Sequence, residues 1–248
     1  MLEWKRSVNI SSYHMRINKM EIDFEAVKQI SYFLGLTPDD LRSIQHSLTP
    51  KTAEKGEIFV LEGDWSDSLY FVISGVVKVY KTSSDGKQQI INIAGPGESL
   101  NDVSTFDDCP NAADMVAMTP IVLYGIKKTD LKNFILKYPR IAANALKILA
   151  SRVRRDSILV ETLSFNQVIG RLAKVLLKYN IGKPLLGLKL TQQDMADMIG
   201  TSREMVNKSL KIMEINNAIR LQRNGIAVIN EKTLEEMSRI HLPTLKIK

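Results

Sequence analysis

Arg203, Glu204, Asn207, Lys208 and Lys211 share types and a spacing that suit one kind of chemistry, reading the edges of nucleic-acid bases. On a helix, Arg203 to Lys208 covers about 7.5 Å of axis, roughly two base-pair steps. In a major groove a guanidinium bonds guanine O6 and N7 together, and a carboxylate accepts from cytosine N4. Lys208 could reach guanine or phosphate, Asn207 adenine or the backbone, and Lys211 phosphate or solvent. Thr191, Gln192 and the backbone N–H groups at helix N-termini add phosphate contacts, and Ser202 is a further candidate DNA-binding residue. Glu204 has a plainer alternative as a helix cap, since both roles use the same carboxylate.

A second set is unusual for what it lacks. Residues 95–118, "GPGESLNDVSTFDDCPNAADMVAM", hold acids but no Lys or Arg, and none occurs between Lys87 and Lys127. The chain nevertheless has a formal net charge of +7. Residues 1–164 carry 20 Lys+Arg and 20 Asp+Glu, whereas residues 165–248 carry 14 and 7, so the whole excess sits in the last third. A basic module joined to a neutral one suits a polyanion, with nucleic acid and a membrane surface as the leading candidates. A solvated basic face is the alternative.

Catalysis finds little support. No nucleophile stands with a base and an orienting group, no ligands have metal-site spacing, and "GPGES" alone does not make a phosphate loop. Cys109 is the single cysteine, which excludes an internal disulfide and a four-cysteine zinc or iron-sulfur site within one chain. There is no apolar run of membrane-spanning length, and the basic N-terminus lacks the apolar core of a signal peptide. The expectation is a cytoplasmic protein that is not an enzyme and not membrane-bound.

The elements that must position these residues follow from periodicity. Between about Glu57 and Lys127, the runs "EIFVL", "SLYFVI", "VVKVYKT", "QQIINI" and "IVLYGI" are punctuated by glycines and read as strands of a small sandwich or jelly roll. "SSDG" at 83–86 is a hairpin signal. "TPDDLRSIQHSL" predicts a helix opened by Thr37 and Pro38. Residues 1–30 show no strong period and form either a peripheral helix or a loose arm.

A long helical segment runs from Asp130 to about Ser164, with Pro139 able to break or restart it. Ala142, Ala145, Leu149, Val153, Val160 and Leu163 form a stripe interrupted by Arg152, Arg154, Arg155 and Asp156. Such a stripe packs against a symmetry mate or against the chain's own β-domain. A helix of this length would overhang a small barrel, which favours the dimer. From Phe165 the order is helix, helix, helix, then a hairpin around Asn224-Gly225, a winged helix-turn-helix. Thr191 with Asp194 predicts a capping box, Gly200 the turn, and Thr201 or Ser202 the next cap, Thr201 being spaced from Glu204 for a second box. The resulting expectation is an α+β chain: an arm (1–30), a jelly-roll sensor (31–128), a dimerisation helix (129–164) and a winged helix-turn-helix (165–248).

In "TSREMVNKSLKIMEINNAI" and the "PGES" loop, the sequence resembles the catabolite activator / fumarate-nitrate regulator (CRP/FNR) family of transcription regulators. The resemblance implies a cyclic-nucleotide-binding-type jelly roll, a homodimer on double-stranded DNA, RNA polymerase as a partner, and an inverted-repeat operator with TGTGA-like half-sites. Arg203 and Glu204 match the family's base readers, whereas Lys208 stands where the third is usually Arg. In the cyclic-AMP-binding branch a Gly-Glu pair holds the ribose and an Arg-Ser pair the phosphate. By position these fall on Asn101-Asp102 and Ala112-Ala113. With Val103 these residues mark the candidate effector pocket.

The pocket loop therefore offers no guanidinium for a buried phosphate, which argues against cyclic AMP. An iron-sulfur cluster lacks its cysteines. Haem stays open through His14, His46, His241, Met or Cys109, although none lies in a haem motif. Asp107 and Asp108 disfavour a reactive thiolate at Cys109. The effector is thus left unknown, either a neutral or apolar molecule or none. A jelly-roll protein acting mainly through protein partners is the alternative function.

Overall fold

The structure is a computed structural model describing residues 21–180, 190–222 and 225–239. The proposed arm falls partly outside this range, as do His14 and His241. Helix α1 (Phe24–Gln29) starts where the Asp23 side chain accepts the Glu25 N–H, and it buries Val27. Val27 and Ile30 join Tyr32, Phe33 and Phe71 in one cluster, so residues just before 31 belong to the β-domain core. Helix α2 (Pro38–Gln45) is capped by Thr37, with Pro38 in the first turn where its missing N–H costs nothing.

The chain then enters strand β1 (Leu48–Ala53), which the sequence reading missed because Pro50 argues against a strand. β1 is an edge strand paired only with β8, where proline is tolerated. Two four-stranded antiparallel sheets make the jelly roll, ordered β1-β8-β3-β6 and β2-β7-β4-β5. Their strands are β2 (Ile58–Val60), β3 (Ser68–Ser74), β4 (Val77–Thr82), β5 (Gln88–Ala94), β6 (Ser99–Leu100), β7 (Asp114–Ala117) and β8 (Ile121–Lys127). In β3, Leu69 and Phe71 pack under the helices while Val72 packs between the sheets. Burial on both faces explains why "SLYFVI" and "IVLYGI" read as apolar runs rather than clean alternation.

"SSDG" closes the β4–β5 hairpin, with Gly86 N–H donating to the Ser83 carbonyl at 2.9 Å. The β3–β4 turn needs Gly75, whose φ is +83° and whose absent Cβ would lie 2.3 Å from the Pro120 carbonyl oxygen. Gly75→Ala is expected to destabilise the fold by about 1–3 kcal/mol, measured by urea unfolding.

The acidic stretch is more structured than a loop. It holds β6, a short helix α3 (Asp102–Asp107) and β7. After β8, helix α4 (Lys128–Lys137) ends and Pro139 restarts the chain as α5 (Pro139–Phe165), a 27-residue helix about 40 Å long. The expected apolar stripe divides along it. Of its members, Ala145 enters the jelly-roll core, whereas Val153 and Val160 are 67% and 63% exposed; outside the expected stripe, Ile141 joins the core and Leu146 is 67% exposed.

Helices α6 (Val168–Asn180), α7 (Gln192–Ile199) and α8 (Arg203–Ile215), the β9 (Ile219–Gln222) and β10 (Gly225–Val228) hairpin and helix α9 (Glu231–Ser238) form the C-terminal module. Leu172, Met195, Ile199, Val206, Leu210, Met213 and Leu234 build its core. The hairpin pairs Gln222 with Gly225, while Asn224 of its turn lies outside the described residues. Helix α9 was not anticipated. No described helix is long and apolar enough to cross a membrane.

Candidate nucleic-acid interface and sensor site

Local signals build the helix-turn-helix as expected. Thr191 Oγ1 accepts the Asp194 N–H and Asp194 Oδ2 accepts the Thr191 N–H, each at 3.0 Å, a closed capping box. Gly200 takes the left-handed conformation (φ +61°) and ends α7. Ser202 Oγ then accepts the Met205 N–H at 3.3 Å, so Ser202 is the cap of α8. The second box from Thr201 to Glu204 does not form, because Glu204 sits one residue too early relative to the Ser202 cap. Its carboxyl is held below its ordinary range by its own backbone N–H and by the Ser202 hydroxyl.

Burial of Val206, Leu210 and Met213 turns the opposite face of α8 outward. Arg203, Glu204, Asn207, Lys208 and Lys211 are all exposed on it, with Thr191 and Ser202 exposed and Gln192 half-buried nearby. Arg203 Nε donates to Gln192 Oε1 at 3.5 Å, a long bond joining the two helix starts. Among the described residues no acidic side chain lies within ion-pair distance of Arg203, Lys208 or Lys211. Their charges are therefore available to an external anion.

The sensor residues divide differently. Asn101 is buried with φ +68°, and its Nδ2 donates to the Ser68 carbonyl at 3.2 Å. Asp102 is 1% exposed and accepts hydrogen bonds from the Tyr32 hydroxyl and, at 2.7 Å, from the Ser99 hydroxyl. It also pairs with Arg152 Nη1 of α5 at 2.6 Å. Arg152 Nη2 donates to Ser99 Oγ at 2.9 Å and to the Ser99 carbonyl. Burial, then the Asp102 charge, pushes the Tyr32 phenol far above its ordinary pKa.

A guanidinium thus does reach this site, which the loop sequence by itself did not suggest. It comes from the long helix, where Arg152 read only as an interruption of an apolar stripe. That interruption was the available signal. Arg152 is already engaged by Asp102 and Ser99.

The other pocket candidates are less enclosed. Ala113 is buried, while Val103 and Ala112 are exposed. Lys81 Nζ donates to the Ala112 carbonyl at 3.1 Å but pairs with Glu62 at 2.7 Å on the surface. Cys109 and His46 are exposed.

Comparison with known proteins bears on both sites. Residues 50–138 match the model of the cyclic nucleotide-binding domain, and residues 170–237 that of the Crp-like helix-turn-helix domain. The chain is 29% identical over 222 residues to a CRP-like cAMP-activated global transcriptional regulator of Mycobacterium tuberculosis, covering 87% of this chain and 99% of that protein. It is 28% identical over 209 residues to the cyclic AMP receptor protein of Thermus thermophilus, covering 83% and 95%. FixK2 of Bradyrhizobium japonicum shares the fold with a TM-score of 0.68 at 20% identity, over 77% of this chain and 96% of that one.

Proposed function

The chain belongs to the CRP/FNR family of DNA-binding transcription regulators, and from that premise we infer that it binds an inverted-repeat operator as a homodimer. TGTGA-like half-sites are expected, with RNA polymerase as the partner at the promoter. One observation carries the reading: an exposed face of α8 presents Arg203, Glu204 and Lys208 without internal ion pairs, held in place by two capped helices.

The exposed Leu146, Val153 and Val160 on α5 support the dimer, since an apolar stripe on a long helix calls for a matching one. Two protomers would set their recognition helices in successive major grooves, about 34 Å apart. Selection from random duplexes should return a palindrome of that spacing, and a non-palindromic consensus would defeat the reading. Val153→Glu is expected to yield monomers by light scattering and to lose operator binding. A variant that stays dimeric would show that the seam lies elsewhere.

The effector is taken to be something other than a cyclic nucleotide, or absent. The relatives' names record a cAMP-activated regulator and a cyclic AMP receptor, yet Ala112 and Ala113 bring no charge to the phosphate position and Arg152 is held by Asp102. Added cAMP should leave operator affinity unchanged. A cAMP-dependent rise would return the nucleotide to this site.

A further inference from the structure

A cavity of about 190 Å³ lies where three parts of the molecule meet, strand β5, the C-terminal half of α5, and helices α6 and α7. Most of its lining is aliphatic, with Ile158 of α5 and Val175 of α6 among the walls. Arg155, Arg171, Lys174 and Lys178 also line it, and among the described residues no acidic one does. None of the five pocket candidates at 101–113 takes part.

The two guanidiniums have unmet bonding capacity. Arg171 donates through Nη1 to the Leu163 carbonyl at 3.0 Å, but its Nε is buried without a hydrogen-bond partner. No acidic side chain among the described residues pairs with it, and burial lowers its pKa. Arg155 Nε is likewise buried without a hydrogen bond, although the Asp156 carboxylate stands 3.5 Å away in poor alignment. Among the described residues Lys174 reaches only the Thr162 hydroxyl, at 3.5 Å, and Lys178 lies over the Tyr179 ring. A partly desolvated guanidinium beside apolar walls, as Arg171 is, stays incomplete until an anion joins it.

The walls restrict which anion fits. Inorganic phosphate would meet the cations but leave the aliphatic surface wet, and a neutral hydrocarbon would leave the guanidiniums unmet. The volume exceeds the roughly 150 Å³ of a cavity that accepts benzene. We propose that this cavity binds an amphipathic carboxylate, its ring-sized or medium-chain body against Ile158 and Val175 and its carboxylate on Arg171 and Arg155. The consequence for DNA rests on the regulator reading above. Because sensor strand, long helix and DNA-binding module all contribute walls, the ligand favours this arrangement of the modules over others and so shifts operator affinity.

Calorimetry on the full chain without DNA tests binding, using decanoate and 4-phenylbutyrate against decanol and inorganic phosphate. At least one carboxylate should bind once per chain, decanol about tenfold or more weaker, and phosphate undetectably. Arg171→Gln should weaken the carboxylate about tenfold or more, and Val175→Trp should abolish it by filling the space. Absence of carboxylate binding, equal binding of decanoate and decanol, or indifference to both substitutions overturns the site. Operator affinity is measured separately without ligand. Its failure would overturn the regulator reading alone and leave the site standing. Binding that leaves operator affinity unmoved would overturn the coupling.

Discussion

Arg203→Ala is expected to lower affinity for the selected operator by about 1–3 kcal/mol, roughly 5- to 150-fold, with a much smaller change on random duplex. Arg203 is exposed at the first turn of α8 and has no ion pair to lose within the described residues. Among the described residues its one side-chain partner is Gln192, at 3.5 Å, so the substitution should leave the melting temperature nearly unchanged. The loss would therefore report base contact rather than misfolding. Lys211→Ala, about two turns further along the same face, should weaken all sequences alike and lower the salt slope by about one. Lys208→Arg should sharpen choice at its base by supplying the bidentate fork that lysine lacks. Electrophoretic titrations at several salt concentrations read all three. Equal losses on operator and random DNA for Arg203→Ala would sink the assigned role.

The second large effect is on stability. Arg152→Met should destabilise the β-domain by about 3–5 kcal/mol, because it leaves the Asp102 carboxylate buried with no counter-charge. The Asp102 side chain is fully buried and that of Arg152 is 22% exposed, so solvent screens the pair weakly. Adding Asp102→Asn to Arg152→Met removes the stranded charge and should recover most of the loss, a coupling that a double-mutant cycle in urea measures. A single-variant cost near zero would mean that water or a shifted neighbour replaces the guanidinium. The pair also constrains the candidate effector pocket. It ties α3 of the jelly roll to α5, so any ligand entering at Asp102 must displace Arg152 or accept its company.

How much of this was legible in advance depends on range. The capping box at Thr191 and Asp194, the turn at Gly200, the "SSDG" hairpin and the restart at Pro139 each rest on contacts within a few residues. They stand where the sequence placed them. By sequence alone either hydroxyl, that of Thr201 or that of Ser202, can cap α8. The backbone settled the cap on Ser202 and thereby left Glu204 outside a capping box. Strand β1 was hidden by Pro50, acceptable only because the sheet has an edge there.

Module order, the basic C-terminal third and the outward face of α8 are written in the order of the residues, because periodicity and charge are properties of neighbours along the chain. Tertiary structure alone decided where long-range partners meet. It split the α5 stripe into a buried and an exposed part, brought Arg152 to Asp102 across the fold, and gathered the walls of a cavity around Arg155 and Arg171. The physical reason is that such contacts join elements distant in sequence, and no local pattern records which face of one element will meet another.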